Sequence, residues 1–204
     1  DSLPDDFGNA VINAWLAKQG RPPSSLNPVE RLLYTGSRGM GALEYRPAAK
    51  VAATKNEKIE LEKLIELTIA MMRNREALTL NLDDETALAQ LIAMGTSAGG
   101  ARPKVVIALN AAGDIRSGQV PAPQGFSYWL LKFDLDTSTK KLGEPAGWGR
   151  IEYAYSQMAR CAGIVMSECR LLQDGERAHF MTRRFDRLDN GDKLHAQTLC
   201  AIAH

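Results

Sequence analysis

Three observations in this sequence predict an α+β fold. Residues 57–74 carry an apolar stripe at helical spacing, Ile59, Leu64, Leu67 and Met71, widened by Leu61, Ile65 and Met72, with Glu and Lys opposite. From residue 105 the texture changes, and Val105–Leu109 and Phe126–Leu135 are rich in β-branched and aromatic residues. Asp174-Gly175 separates Glu168–Gln173 from Glu176–Phe185, and Asp-Gly between two such runs is a hairpin signal. The expected organisation is a helical amino-terminal region over residues 1–94. Residues 95–204 then carry an antiparallel sheet and one main helix.

The remaining elements follow in order. Val11–Lys18 places Val11, Trp15 and Leu16 on one face of a short helix, which Arg21-Pro-Pro-Ser-Ser25 ends. Asn27 caps a further one or two turns whose first position is Pro28, where a missing N–H costs nothing. Gly36, Gly39 and Gly41 interrupt, and Gly41–Tyr45 is expected as a strand. Asp83 or Asp84 caps a helix running through Met94, with Leu88, Leu91 and Ile92 as its apolar face. Arg150–Cys161 reads as an amphipathic helix carrying Ile151, Ala154, Tyr155, Met158 and Ala162, closed by Gly163.

Composition narrows the functional classes. With 45% apolar and 24% charged residues the 204-residue chain is an ordinary globular sequence, and a net charge of +1 gives no bulk drive toward nucleic acid or an anionic membrane. No apolar run approaches the roughly 18–20 residues of a membrane span, and no secretory signal is present. Cys161, Cys169 and Cys200 are odd in number and fit no zinc spacing, which implies reduced thiols and a cytoplasmic location. No metal site is expected, since Cys200 and His204 alone are two ligands short. The chain begins at Asp1 and stops soon after an apolar segment, so it is expected to be part of a longer protein.

The chemistry concentrates in a few places. Thr96–Lys104 leads from a helical segment into a strand, with Gly99 and Gly100 adjacent and Arg102 and Lys104 beside them. Such a loop presents bare N–H groups that suit phosphate. The preceding helix turns its C-terminal end to the loop, so any anion must be held by loop N–H groups and cations rather than by that dipole. Next comes a strand with one isolated cation, Lys132 in Tyr128–Phe133, which needs a carboxylate partner if buried. Glu152 then stands near the start of a helix, where the dipole favours it. Last comes the strand ending in Thr182–Arg187. Phosphate loop, strand lysine, helix glutamate and hinge strand is the order of a protein-kinase small lobe.

Ser97–Lys104, Trp129–Phe133, Glu152-Tyr153 and Arg183–Arg187 together resemble successive landmarks of the HipA family. Leu3–Gly8, Gly36–Leu43 and His195–Thr198 are similar to further parts of it, so the resemblance runs over most of the chain. It implies a bacterial serine/threonine kinase toxin of a toxin–antitoxin pair, using ATP with Mg2+ to phosphorylate a protein, in some members a tRNA synthetase. It implies an antitoxin partner, with DNA reached indirectly through that antitoxin. Carried over by position, Ser97, Ala98, Gly99, Gly100, Ala101 and Lys104 form the phosphate loop, and Ser97 is the autophosphorylated serine. Lys132 is the phosphate-binding lysine and Glu152 its helix glutamate. Arg183 to Phe185 form the hinge, where backbone groups would bond adenine and Phe185 would pack on it. At Arg183 some relatives carry an acid.

No histidine-aspartate catalytic loop and no metal-binding Asp of the DFG type is present in the sequence. Asp186 and Asn190 are four apart, but they lie on a strand end and a turn, and are rejected as base and metal ligand. Those groups are expected beyond His204. The chain alone is therefore expected to bind ATP weakly or not at all and to lack catalysis. Two other readings stand beside the kinase: a non-catalytic interaction module that binds an antitoxin or partner subunit, and a stand-alone anion-binding domain.

Overall fold

A computed structural model describes residues 2–49, 58–73, 89, 92, 94, 95, 99, 100, 102–138 and 140–203. Three helices come first: α1 (Asp6–Lys18), α2 (Pro28–Thr35) and α3 (Leu61–Arg73). Ala89, Ile92, Met94 and Gly95 are also helical. Five strands follow, β1 (Lys104–Asn110), β2 (Ile115–Ser117), β3 (Phe126–Lys132), β4 (Cys169–Asp174) and β5 (Arg177–Arg183), with α4 (Trp148–Cys161) between β3 and β4 and a final turn of helix, α5 (Leu199–Ile202). The sheet is antiparallel in the order β2-β1-β3-β5-β4. The fold is α+β, helical first and sheet-based afterwards.

Strand alternation gives the sheet two different faces. Register places Val105, Leu131 and Met181 in one row and Lys104, Lys132 and Phe180 in the next, on the opposite side. The Val105 side is apolar. Val105, Ile107, Trp129, Leu131 and Met181 join Phe7 and Val11 of α1 and Leu64, Ile65 and Met71 of α3 in one core. Burying each such side chain is worth roughly 1.5–3 kcal/mol, so both halves of the chain share one source of stability. The stripe expected over 57–74 is the buried face of α3, which begins at Leu61. Thr68 interrupts it, and its buried hydroxyl is satisfied by donating to the Leu64 carbonyl at 2.8 Å.

Local chemistry explains the element ends. Asn27 accepts from the Glu30 N–H at 2.9 Å and Glu30 accepts from the Asn27 N–H at 2.8 Å, a reciprocal cap on α2 with Pro28 at its first position. Edge strand β2 is partly covered: Ile59 donates its N–H to the Ile115 carbonyl at 2.8 Å. The expected cap at Asp83 or Asp84, with Leu88 and Leu91, lies outside the described residues.

The structure corrects three expectations. Gly41–Tyr45 is not a strand. Its backbone is claimed by side chains from the far end of the chain: Gly41 N–H donates to Asp186 Oδ2 at 2.6 Å, and Arg187 donates to the Gly41 and Gly39 carbonyls at 2.9 and 2.8 Å. Strand β3 stops at Lys132 rather than continuing to Leu135, because Asp134 is drawn out of the ladder to cap α4. The apolar stripe of α4 does not pack on the sheet. Ile151, Tyr155 and Met158 are exposed, and Gly149 and Ser156 form the buried side. A Cβ at Gly149 would overlap the Ala178 carbonyl oxygen, so the helix rests directly on the β5 backbone.

Candidate functional site

The face of the sheet opposite the main core carries two lysines side by side. Lys104 opens β1 and Lys132 closes β3, and they are cross-strand partners. Two like charges opposite each other repel, and both are compensated. Lys132 Nζ donates to Glu152 Oε2 at 2.5 Å across the gap to α4. Lys104 Nζ donates to the Gly99 carbonyl at 2.6 Å. Burial lowers the Lys104 pKa, and Lys132 lowers it further against the opposing pull of Asp5 and Glu152. The Phe180 ring, next in the same row, lies 5.7 Å from Lys132 Nζ.

Several devices hold Glu152 where Lys132 meets it. Gly147, with φ +75°, leads into α4 without a side-chain cap of its own. Buried Asp134 serves instead, accepting from the Trp148 N–H at 2.9 Å and from the Ala178 N–H at 3.3 Å. One carboxylate thus joins the helix start to β5. The Asp134 N–H donates to His179 Nδ1 at 2.9 Å, which fixes the proton of the neutral ring on Nε2. Burial lowers the His179 pKa, opposed by Asp174 and Asp134, while Arg177 adds to the lowering. Asp134, His179 and Gly149 were not legible as site-building residues, since their partners are distant in sequence.

The glycine loop sits against these lysines. Gly100 has φ +116°, a backbone conformation that favours glycine, and a Cβ there would come 2.5 Å from Lys104 Nζ and displace the lysine tip. The Gly100 N–H donates to Asp5 Oδ2, from the residue just before α1. Arg102 stacks over the Trp148 ring at 4.0 Å, linking the loop to α4. Ser97, Ala98 and Ala101 lie outside the described residues, so the loop positions the structure places are Gly99, Gly100 and Lys104.

The segment after β5 is the far end of the site. Arg184 N–H donates to the Tyr128 carbonyl at 2.8 Å, keeping the segment beside β3. Arg183 turns its guanidinium to Asp189, at 2.8 and 3.0 Å. Phe185 is mostly exposed, and among the described residues its main-chain N–H and carbonyl carry no hydrogen bond. Arg183, Phe185 and Leu188 line a cavity of about 270 Å³ with Glu168 and Asp189. Leu130, half-buried, stands on the Lys132 face between the lysines and this segment. Sequence reading did not single it out, because an apolar residue in a strand signals only packing.

Asp186 has a different position. It is fully buried, accepts from Arg184 at 2.8 and 2.6 Å, from Arg187 at 3.0 Å and from Gly41 N–H at 2.6 Å. Burial pushes its pKa up, but Arg184, Gly41 and Arg187 together outweigh this and hold it below the ordinary value. With its oxygens so occupied it is a structural carboxylate. Among the described residues no group of three or more His, Cys, Asp and Glu side chains gathers to hold a metal, and no helix is long and apolar enough to cross a membrane.

Comparison with known proteins gives one match. A family model, the HipA-like C-terminal domain, matches residues 96–204, more than half of the chain, and spans both lysines, Glu152 and the segment after β5. No curated protein and no solved structure matches.

Proposed function

This chain belongs to the HipA family, and we propose that it is the nucleotide-binding portion of a HipA-type serine/threonine protein kinase toxin, the complete protein transferring the ATP γ-phosphate to a protein hydroxyl. The Lys132–Glu152 pair carries this reading. A lone lysine at the end of an apolar strand meets a helix glutamate at 2.5 Å, and its side chain stays one-third exposed, at 33%. An ammonium has three donors, and Glu152 takes one while fixing its direction. Lys104 and the Gly99–Gly100 backbone lie beside it, so positive charge gathers on the side a polyphosphate would approach, although Asp5 holds the Gly100 N–H.

The other end of the face suits a base. Leu130 offers an apolar surface, and Phe185 offers an unpaired main-chain donor and acceptor with an exposed ring. Lys132 pairs with Phe180 and Trp129 with Arg183, so three residues separate these ends along β5. At about 3.4 Å per residue this is near 10 Å, the scale on which a base and its terminal phosphates are separated. Bound Mg2+ would neutralise phosphate charge, but the described residues offer no ligand set for it, and no transfer step is assigned to them. In this reading the chain binds and orients nucleotide. Partnership with an antitoxin, and with DNA through it, belongs to the same proposal.

A titration of the 204-residue chain with ATP, followed by amide NMR so that millimolar affinity registers, tests the reading. ATP is expected to shift Gly100, Lys104 and Phe185, and Lys132→Ala to weaken binding by about tenfold or more. An unchanged affinity in Lys132→Ala, or ATP binding no better than inorganic tripolyphosphate, counts against it.

One observation favours a second reading, a non-catalytic interaction module. Ile151, Tyr155 and Met158 at helical spacing on α4, and Ile164 and Val165 just after it, are exposed apolar side chains. If ATP shifts nothing while an antitoxin-type protein partner protects these side chains, the module reading replaces the nucleotide one.

A further inference from the structure

We propose that Asp5 is an internal competitor of the phosphate loop, holding Gly100 with its own carboxylate where an anionic ligand would bind. The inference rests on the nucleotide reading of the Gly99–Lys104 site and extends it to regulation from the amino-terminal segment.

Asp5 occupies the N-cap position of α1, where an aspartate ordinarily accepts from its own helix. It makes no such bond. Its Oδ2 instead accepts from the Gly100 N–H, 95 residues further on, and a Cβ at Gly99 would sit 3.2 Å from the same oxygen. Oδ1 is buried and accepts nothing among the described residues. The helix gives up its cap and one carboxylate oxygen stays unsatisfied, so the side chain is committed to the loop at a local cost.

The contact consumes what a phosphate needs. A backbone N–H bound to a carboxylate is charge-assisted and stronger than a neutral bond. The same carboxylate also interacts favourably with Lys104, whose ammonium closes on the Gly99 carbonyl. An incoming polyphosphate meets negative charge on the loop, a donor already engaged and a lysine turned inward. Its binding therefore requires Asp5 to leave, which uncouples the start of α1 from the loop. Conversely, whatever draws the segment ahead of α1 away from the sheet releases the loop for anions.

The test uses inorganic tripolyphosphate and ATP on the 204-residue chain with Asp5→Asn, which keeps a side chain able to cap α1. Asp6→Asn, one residue on and exposed, controls for overall charge. Tripolyphosphate affinity is expected to rise about tenfold in Asp5→Asn and less than about twofold in Asp6→Asn. Hydrogen exchange at the Gly100 amide is expected to quicken in Asp5→Asn alone. Affinity that stays level or falls in Asp5→Asn, an equal gain in Asp6→Asn, or no anion binding by any form overturns the proposal. If Asp5→Asn tightens tripolyphosphate but ATP is bound no better than tripolyphosphate, the competitor stands and the nucleotide reading is what fails.

Discussion

Two charge clusters, one on the sheet and one in the segment after β5, are built to opposite specifications. Lys132 and Glu152 are 33% and 26% exposed and meet through one contact. Arg184, Asp186 and Arg187 are 1%, 0% and 6% exposed, and the carboxylate takes three hydrogen bonds from side chains and one from a backbone N–H. The difference separates a site from a joint. Spare donors facing open space can receive a ligand, whereas a saturated carboxylate, together with the Arg187 guanidinium, holds the segment after β5 against Gly39 and Gly41. Both clusters contain residues that a motif search would flag as chemical, and only burial and bond saturation distinguish them.

The comparison is tested most severely by removing the buried acid. Asp186→Ala leaves Arg184 and Arg187 with no counter-charge and frees the Gly41 N–H, and breaking a buried pair in this way costs roughly 3–5 kcal/mol. Urea unfolding measures it. A loss below about 1 kcal/mol would place Asp186 with the exposed pairs and remove the distinction.

A pH titration sharpens the contrast, because stability responds to buried groups whose pKa values change on folding. His179 is buried and its pKa is lowered, by burial first, so the unfolded chain takes up a proton before the folded one does. Its contribution is fully present above about pH 6.5, the unfolded value, and declines as pH falls toward the folded value. The slope for one proton is at most about 1.4 kcal/mol per pH unit. Urea midpoints from pH 7.5 to 5 should fall more steeply for the native protein than for His179→Gln. Parallel slopes would show that the Asp134–His179 clamp does not govern acid sensitivity. Carboxylates such as Asp186, held below the ordinary value, add their own losses only at lower pH.

These clusters also mark how far the sequence could be read. The Lys132–Glu152 pairing was legible because a single cation in an apolar strand demands a partner, and a glutamate on the helix that follows is the type of group that supplies one. Asn27-Pro28 and Asp174-Gly175 were legible because caps and tight turns are decided by neighbours two or three residues away. Asp5, Asp134 and Asp186 were not. Each is an acid next to an element end, where local sequence predicts solvent exposure, and each is committed to a partner 44 to 145 residues distant. The stripe on α4 misled for a related reason. Amphipathicity reports that a helix has two faces, but close approach at Gly149 decides which one meets the sheet. Likewise Gly41–Tyr45 has strand-like residues, yet Asp186 and Arg187 take the backbone groups that a ladder would use.

The smallest expected effect is the one that defines the open cluster. Glu152→Gln keeps the shape of the side chain and removes its charge, so it should cost less than about 1 kcal/mol of stability, as partly exposed pairs do. Lys132 retains solvent access and loses only its guide. Ligand binding should respond differently. Without the carboxylate the ammonium is free to sample other rotamers, and part of its orientation toward an anion is lost. The variant should therefore unfold at nearly the native urea concentration while binding ATP several-fold more weakly. If Glu152→Gln unfolded as readily as Asp186→Ala, the pair would be a structural joint like the other cluster, and the open geometry around Lys132 would have no bearing on ligand binding.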